Sequence, residues 1–282
     1  MMKPVLQDDA FLTDVNAARA EADDLHLWWL GQSGFLVQWQ GRHCLFDPYL
    51  SESLTQKYED TDKPHVRMTG RVIAPERLDF IDIVTSTHNH TDHLDAETLL
   101  PLKQANPELK LVLPLANITF AAERLQCKPD WLVGFECGGR SVVDPFSVTG
   151  VPAAHEKLEC DDLGRCHHMG FIVQFGPWTV YHSGDTVRYD GMAEQLRPYN
   201  IDIALLPING RNPERRVPGN LTGKEAAQLG QDIGARLVVP CHFDLFEFNS
   251  VTPDAFIAEA ERIGQPYKRM QNGERWSSRE LD

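Results

Sequence analysis

The segment His88-Asn89-His90-Thr91-Asp92-His93 constrains this chain more than any other, because it offers four metal ligands within six positions. On a helix, His88 and His90 would point about 200° apart, whereas at the end of an extended strand they lie on one side. The preceding run 81–86 is apolar and β-branched, which predicts a buried strand. Leu94-Asp95 then predicts the start of a helix with Asp95 as its N-cap. We therefore expect a strand that ends in a turn suited to divalent metals such as Zn, Mn or Fe.

Three further candidate ligands follow this turn along the chain, each at the end of a β-rich run. His155 follows the strand-like residues 146–149, Asp185 follows the run 178–180, and His242 closes the run Val238-Val239-Pro240-Cys241. Sites in open α/β proteins collect at such strand-to-loop transitions. A histidine taken alone is more often an ordinary packed side chain. As the later members of one ordered series, these residues are expected to bind metal.

On these motifs the chain resembles the metallo-β-lactamase superfamily, which shares the His-x-His-x-Asp-His turn and a later His, Asp and His in that order. It is more specifically similar to the branch that contains L-ascorbate-6-phosphate lactonase. That similarity rests on five blocks that span roughly residues 26 to 248: Trp28-Trp29-Leu30-Gly31, Phe46-Asp47-Pro48, the segment 87–95, Tyr181-His182-Ser183-Gly184-Asp185 and the segment 239–244.

The resemblance implies an α/β fold, namely the four-layer αβ/βα sandwich of the metallo-β-lactamase type, formed by a single domain over residues 1–282. It also implies two divalent metal ions per chain. Zinc or manganese is expected, and iron stays open, because a set of imidazole and carboxylate ligands admits all three. The implied ligands are His88, His90 and His155 for one ion, Asp92, His93 and His242 for the other, and Asp185 as the bridge between them.

The chemistry implied by such a site is hydrolysis by a hydroxide that bridges the two metals. Two cations about 3.5–4 Å apart can share a water, lower its pKa and polarise the bond under attack. Besides the bridging Asp185, Asp92 is a candidate for carrying the proton to the leaving group. The sequence has no Gly-x-Ser-x-Gly nucleophile motif. The expected substrate is a small polar or anionic ester, a lactone such as a sugar-lactone phosphate, or a phosphodiester.

Other activities stay open at this point. One alternative is a phosphodiesterase of the N-acyl-phosphatidylethanolamine phospholipase D type, although an acidic chain suits a lipid surface poorly. Another is an iron-dependent redox enzyme of the same fold, which a metal count and an iron-specific spectrum would distinguish. Hydrolysis of β-lactam antibiotics is not expected, because the commonest lactamases have a cysteine where this chain has Asp185. The intact set of seven ligands disfavours a non-catalytic binding protein.

Four residues near the candidate ligands are candidate substrate contacts. His182 precedes Asp185 by three positions, where it would orient a ligand, bind substrate or simply pack at the strand end. Asn209 and Arg211 follow the apolar strand 201–206, and Arg211 would either pair with a phosphate or carboxylate or lie on the surface. His167 and His168 lie close to Cys160 and Cys166, but this cysteine spacing suits zinc poorly. We instead expect a loop at the cleft mouth with His168 in contact with substrate.

Charge and cysteine usage limit the partners. The chain has 27 basic and 41 acidic residues, a net charge of −14, which argues against nucleic acid or an anionic membrane and leaves a small-molecule substrate as the expected partner. No apolar run is long enough to span a membrane, and the N-terminus does not resemble a signal peptide. The six scattered cysteines favour reduced thiols, so a cytoplasmic location is expected. Self-association into a homo-oligomer stays open.

The remaining sequence patterns predict the order of the elements. A capping box at Thr222 and Glu225 predicts a helix that ends at Gly234, and Thr252 is expected to cap a last helix that ends near Gly264. Trp28 and Trp29 are expected to lie in the core. Strands are predicted at 25–29, 34–39, 43–46, 146–151, 171–175 and 178–182, helices near 115–126 and 190–197, and a long loop at 51–72.

Overall fold

The computed structural model describes residues 1–281 and consists of two mixed β-sheets with helices packed against them. Each sheet has an antiparallel part and a parallel part. The parallel pairs are joined by helical connections, as parallel strands require. The predicted α/β sandwich is therefore confirmed.

The first sheet contains seven strands among the described residues, in the order β13-β1-β2-β3-β4-β5-β6. The strands β13, β1, β2 and β3 pair antiparallel, and β3 to β6 pair parallel. The bounds are β1 His26–Gly31, β2 Gly34–Trp39, β3 Arg42–Phe46, β4 Ile83–Thr85, β5 Lys110–Pro114, β6 Leu132–Phe135 and β13 Arg275–Ser277.

The second sheet has six strands within residues 1–281, in the order β12-β11-β10-β9-β8-β7. The strands β7 to β10 form an antiparallel meander, and β10, β11 and β12 pair parallel. The bounds are β7 Arg140–Val143, β8 Phe146–Pro152, β9 Met169–Phe175, β10 Trp178–His182, β11 Ile203–Pro207 and β12 Leu237–Cys241.

The α-helices form two groups, one with each sheet. Helices α1, α3 and α4 contribute to the apolar cluster behind the first sheet, and α5, α6 and α7 to the cluster that includes the second sheet. The bounds are α1 Asp9–Ala18, α2 Ser53–Lys57, α3 Ala96–Ala105, α4 Ile118–Arg124, α5 Met192–Leu196, α6 Gly223–Ile233 and α7 Asp254–Ile263.

The alternation of side chains along β1 explains how one strand serves two cores. Leu27 and Trp29 point into the core between the sheets, whereas Trp28 and Leu30 point into the cluster beneath α1 and α3. Successive strand residues face opposite sides of a sheet, so a strand covered on both faces is apolar throughout. Trp28 and Trp29 are accordingly both buried, as the sequence predicts.

The predicted helix ends agree with the structure at some positions and differ at others. The capping box of Thr222 and Glu225 is present, and α6 ends at Gly234 in a left-handed conformation. Asp95 occupies the N-cap position of α3, but its carboxylate accepts from the hydroxyl of Thr98 rather than from a backbone N–H. The prediction for Thr252 is wrong: α7 begins one residue later, and the Thr252 hydroxyl donates to the side chain of Asp254.

Two further expectations need correction. The segment 51–72 is not a continuous loop, because it contains the short helix α2. The cysteines are not all reduced, since Cys137 and Cys166 are disulfide-bonded and the thiol of Cys160 lies 3.7 Å from Cys166 Sγ. The spacing of these cysteines in the sequence does not indicate this pairing. The pairing depends on how the turn before β7 packs against the hairpin 154–168. None of the helices within residues 1–281 has the length and apolar character needed to cross a membrane.

Candidate metal centre

The predicted ligands lie together at one edge of the sandwich because the strands that precede them end at that edge. Strands β8 and β10 are both antiparallel to β9, and β12 runs parallel to β10 through β11, so all three end at the same edge. His155, Asp185 and His242 follow these three strand ends. The turn 86–93 follows β4 of the first sheet and joins them. Residues from both sheets are therefore needed to form the cluster.

The first group of candidate ligands contains three histidines and one aspartate. One ligand atom each from His88, His90, His155 and Asp185 lies within 4.8 Å of all the others. The rings of His88 and His90 are 4.5 Å apart between centroids, and those of His90 and His155 are 4.9 Å apart. Only His90 in this group is exposed, so the group opens to solvent on one side.

The second group contains Asp92, His93 and His242, again with ligand atoms within 4.8 Å of one another. Oδ2 of Asp92 lies 3.7 Å from His93 Nε2 and 3.6 Å from His242 Nε2. Both histidines are buried, and the Asp92 side chain is 16% exposed. A ligand on the open side of this group would therefore meet Asp92 first.

The carboxylate of Asp185 connects the two groups. Its Oδ1 lies 3.4 Å from His93 Nε2, and its Oδ2 lies 3.2 Å from His242 Nε2 and 3.7 Å from His155 Nε2. One carboxylate thus faces histidines from both groups. This is the position that the sequence-based prediction assigns to a bridging ligand.

Three of the candidate ligand atoms lack hydrogen-bond partners, which is the condition that a metal ion would satisfy. Within residues 1–281, the buried atoms His88 Nε2, His93 Nε2 and Asp185 Oδ1 have no hydrogen-bond partner. Buried polar atoms in native proteins are nearly always paired, so three unpaired atoms at one place require a reason. Imidazole nitrogens and carboxylate oxygens are ligands that zinc and similar ions prefer. The residues therefore fit two divalent ions.

Hydrogen bonds from outside the cluster set the orientation of two of its histidines. His155 donates from Nδ1 to the backbone oxygen of Gly219 across 3.0 Å, which leaves its Nε2 as an acceptor towards the cluster. His93 donates from Nδ1 to Oδ2 of Asp47 across 2.6 Å. Partners of this kind fix the tautomer of a metal-binding histidine and raise its basicity.

Asp47 and Gln32 support the cluster, and neither was among the predicted site residues. Asp47 also accepts from the hydroxyl of Thr85 at 2.6 Å and from the backbone N–H of Thr87 at 3.1 Å. The side-chain amide of Gln32 donates to Asp92 Oδ2 at 2.9 Å. The block Phe46-Asp47-Pro48 was already part of the resemblance, so the signal for Asp47 was in the sequence but without a role.

Buried charges within the cluster shift the pKa values in opposite directions. Burial lowers the pKa of His88 well below its usual value, and the neighbouring histidines add to the effect. Burial opposes the charge of His93 and His242 too, but the neighbouring carboxylates of Asp185 and Asp92 together outweigh it, raising the pKa of His93 well above the usual value and that of His242 to about 9. For Asp185 itself, burial opposes ionisation but His242 and His93 lower the pKa well below normal. The buried carboxylates thus create a potential that attracts cations.

A cavity of about 310 Å³ opens over the cluster, at the small end of the range for small-molecule sites. His90, Asp92 and His155 form part of its lining. Arg124 also borders it, but its guanidinium donates to the backbone oxygens of Asn89 at 2.6 Å and of Leu94 at 3.2 Å. Arg124 therefore holds the ends of the histidine-rich turn in place.

His168 and His182, both predicted to contact substrate, lie in different surroundings. The ring of His168 lies 5.2 Å from that of His88 and 5.6 Å from that of His155, and burial lowers its pKa to about 4. His182 donates from Nε2 to the backbone oxygen of Ser33 at 2.9 Å and stacks on Phe46 at 5.2 Å. His182 is therefore a packed strand-end histidine with its donor satisfied, outside the cavity lining that the described residues form.

Asn209 and Arg211 are also placed outside the lining of this cavity within residues 1–281. Asn209 is buried and donates to the side chain of Asn249, which does line the cavity, at 3.0 Å. Arg211 pairs with Glu225 at 2.5 Å, and its second amino group faces the backbone oxygen of Asn220 at 3.4 Å. The guanidinium is thus committed to the start of α6, and the structure does not bring it to the cluster. His167 is bound to Asn117 at 3.1 Å and likewise faces away from the cavity.

The walls of the cavity come from residues that sequence reasoning did not single out. The predicted long loop at 51–72 identified the region but not the side chains. Which of its residues face the cavity depends on contacts with the segment after β12. The wall residues from these two segments are Leu54, Lys57, Tyr58, His65, Phe246, Phe248 and Asn249.

Comparisons with known proteins agree with this arrangement. Residues 42–243 match the family described as a beta-lactamase superfamily domain. A "UPF0173 metal-dependent hydrolase" from Opitutus terrae is 30% identical over 255 residues, covering 89% of this chain and 98% of the relative.

Two solved structures show the same fold at lower identity. Igni18, a metallo hydrolase from the archaeon Ignicoccus hospitalis, is similar with a TM-score of 0.65 and 23% identity, covering 90% of this chain and 98% of that one. CmlA, a diiron beta-hydroxylase from Streptomyces venezuelae, has a TM-score of 0.67 and 16% identity, covering 90% of this chain and 53% of that one. The predicted metallo-β-lactamase type of fold is therefore confirmed.

Proposed function

The chain belongs to the UPF0173 family of metal-dependent hydrolases in the metallo-β-lactamase superfamily, and from this premise we propose a binuclear hydrolase of small esters, lactones or phosphodiesters. The observation that carries the proposal is the carboxylate of Asp185, whose Oδ1 faces His93 of the second group at 3.4 Å and whose Oδ2 faces His155 of the first group at 3.7 Å. A carboxylate between two sets of unpaired ligand atoms suits a bridge between two ions.

In the proposed centre, each group of ligands holds one ion. Bound divalent cations would activate a water molecule and stabilise the negative charge that develops on the attacked oxygen. Zinc or manganese is proposed, because imidazole and carboxylate ligands suit both. The ligands would be His88, His90 and His155 for one ion, Asp92, His93 and His242 for the other, and Asp185 for both.

The chain's own residues position the reacting groups. Asp92 lines the cavity, and Gln32 donates to its Oδ2 at 2.9 Å, which holds the carboxylate in one orientation. From that position Asp92 can accept a proton from the attacking water and pass it to the leaving group. Asp185 is buried and keeps His93, His155 and His242 oriented towards the same point.

The similarity to L-ascorbate-6-phosphate lactonase supports including sugar lactones and their phosphates among the candidate substrates. The test is a substrate panel on protein of measured metal content. The panel contains sugar lactones, their phosphates, bis-p-nitrophenyl phosphate and simple esters. We expect close to two metal ions per chain, loss of hydrolysis on chelation, and recovery when metal is restored. Hydrolysis by metal-free protein would overturn the proposal, and a single iron with oxygen consumption would favour the redox alternative.

Asp185→Asn tests the bridge within the same experiment. A neutral amide attracts two cations weakly, so we expect this variant to retain about one ion and to lose most turnover. Asp232→Asn is the matched control, because it makes the same change in a partly exposed carboxylate that pairs with Arg188. If Asp185→Asn keeps two ions and full turnover, Asp185 is not the bridge.

A further inference from the structure

The cavity over the metal centre has an aromatic part formed by Tyr58, His65, Phe246 and Phe248, here called the aromatic slot. The ring of His65 lies at its centre, stacked on Tyr58 with centroids 4.2 Å apart and an interplanar angle of 18°. Phe248 and Phe246 lie 4.4 Å and 5.1 Å from the same ring. These distances are those of favourable aromatic contacts.

The slot is held by backbone pairing between two distant segments. Met68 donates its N–H to the backbone oxygen of Leu245 at 2.7 Å, and Glu247 donates to that of Val66 at 3.0 Å. Tyr58 and Phe248 also pack against a small separate core of Tyr49, Leu54, Leu245 and Phe246. The rings are therefore in place before a ligand arrives, which reduces the entropy lost on binding.

His65 contributes a flat and neutral surface to the slot. Its Nδ1 lies 3.1 Å from the backbone oxygen of Lys63 and donates to it, so Nε2 carries no proton. Burial lowers the pKa of His65, which keeps the ring uncharged at neutral pH. One face of this uncharged imidazole is stacked on Tyr58, so the ring presents its remaining surface and one hydrogen-bond acceptor to the cavity.

The cations near the slot are poorly arranged for a phosphate. Arg124 is bound to the backbone oxygens of Asn89 and Leu94, and Arg211 is paired with Glu225 away from the cavity. Lys57 remains at the wall, with its ammonium 5.1 Å above the ring of Tyr58. Strong phosphate sites usually offer a bidentate arginine. Leu54, Val217 and Pro218 extend the apolar wall instead.

Building on the proposed function, we propose that the substrate carries a flat apolar group, aromatic or conjugated, next to the bond that is cleaved. This group packs in the aromatic slot while the carbonyl or phosphoryl group faces His90, Asp92 and His155. Among lactones, the slot thus favours aromatic or conjugated ones over sugar lactones and their phosphates. His65 and Phe248 are the residues that determine this specificity.

Two lactones that differ in one substituent test the proposal on the metal-loaded protein. γ-Phenyl-γ-butyrolactone carries a phenyl group where γ-valerolactone carries a methyl group, and both release a secondary alkoxide. We expect Phe248→Ala to lower kcat/KM for the phenyl lactone tenfold or more, mainly through KM, which corresponds to about 1.4 kcal/mol. The methyl lactone should change less than threefold. An equal loss on both lactones, or faster hydrolysis of glucono-δ-lactone than of the phenyl lactone, would overturn the proposal.

Matched variants separate the slot from general damage. His65→Phe keeps a flat ring and should retain the preference for the phenyl lactone, whereas His65→Ala should lose it. Val142→Ala shortens an exposed apolar side chain on β7, which does not line the cavity, and should change neither substrate. If His65→Phe lost the preference for the phenyl lactone as fully as His65→Ala, packing against a flat ring would not be the basis of selection.

A binding measurement distinguishes failure of the slot from failure of the proposed hydrolysis. The ring-opened products, 4-hydroxy-4-phenylbutanoate and 4-hydroxypentanoate, can be titrated calorimetrically against the protein and against Phe248→Ala. We expect the phenyl product to bind at least tenfold more tightly to the unmodified protein, and this advantage to disappear in the variant. Hydrolysis without any phenyl preference in rate or binding would refute the slot alone. A binding preference without hydrolysis of any panel substrate would refute the hydrolytic function alone.

Discussion

The imidazole of His93 donates to the carboxylate of Asp47 across 2.6 Å, and both side chains are completely buried. This hydrogen bond lies behind the metal centre and links the end of β3 to the histidine-rich turn after β4. The other partners of the Asp47 carboxylate are all donors, namely the hydroxyl of Thr85 and both the backbone N–H and the hydroxyl of Thr87. The carboxylate therefore satisfies four donors from three residues, which only an ionised side chain with two oxygens can do.

Asp47→Asn should weaken metal binding without altering any proposed ligand. An amide must turn its NH₂ group towards at least one of these donors, so His93 loses its orientation or a buried donor loses its partner. We expect the metal affinity of the second group of ligands, which contains His93, to fall about 10- to 100-fold. A competition titration with a chromophoric chelator measures this, with Asp232→Asn as the control. Unchanged affinity would show that Asp47 stabilises the fold alone.

Gly184→Ala should disturb the bridge through a close approach of two segments. Gly184 has a φ of +60°, and a Cβ there would lie 2.6 Å from Oγ1 of Thr87. We expect a loss of about 2–4 kcal/mol in the free energy of unfolding, from backbone strain together with the clash. The metal content should also fall, because Asp185 is the next residue.

Gly164→Ala is the matched control for that prediction. Gly164 also has a positive φ, +77°, but a Cβ there would meet nothing within 4 Å. The expected cost is therefore about 1–2 kcal/mol from strain alone, with metal content unchanged. Denaturant unfolding and elemental analysis of both variants give the comparison. If Gly184→Ala and Gly164→Ala lowered the free energy of unfolding equally, the contact between the new Cβ and Thr87 would have relaxed without cost.

Arg211→Ala should have a small effect on stability and the same effect on every substrate. Its partner is Glu225, and the two side chains are 43% and 27% exposed, so the ion pair is worth at most about 1 kcal/mol. Because the guanidinium does not reach the cavity, KM values for anionic and neutral substrates should change together and by less than twofold. Steady-state kinetics on one charged and one neutral lactone decide this. A selective rise in KM for the charged lactone would restore the role predicted from the sequence.

His43 should make the protein sensitive to acid. The side chain is 1% exposed, and burial together with Arg19 and Arg42 lowers its pKa to about 3. The unfolded chain, with a histidine pKa of about 6.5, binds a proton that the folded protein excludes, so stability is lost as the pH falls below that value. Between pH 7 and pH 5 this single group removes about 2 kcal/mol.

His43→Gln should therefore lose less stability over the same pH range than the unmodified protein, by about 2 kcal/mol. Urea unfolding at pH 7 and pH 5, at equal metal loading, measures the difference. If the free energy of unfolding fell by the same amount in both proteins, His43 would have become protonated in the folded state.

The agreement between sequence and structure is greatest where a pattern acts locally. The strand predicted at 25–29, the capping box at Thr222 and the strand before His88 each depend on neighbouring residues, so they could be predicted in order along the chain. The bounds of the predicted strands differ from the observed ones by only one or two residues; β8, for example, runs to Pro152 rather than 151. Thr252 was misassigned because its hydroxyl binds the side chain of Asp254 instead of the backbone.

The sequence by itself predicted seven candidate metal ligands, because each follows a strand-like run and sites in open α/β proteins collect at such strand ends. Only the tertiary structure decided what surrounds them. Asp47 and His93 are 46 residues apart, and Gln32 and Asp92 are 60 apart, so neither pair has a local signal. Arg211 could equally have faced the cavity, but folding placed it beside Glu225. Contacts between distant side chains depend on how whole sheets and loops pack, and no short stretch of sequence specifies that packing.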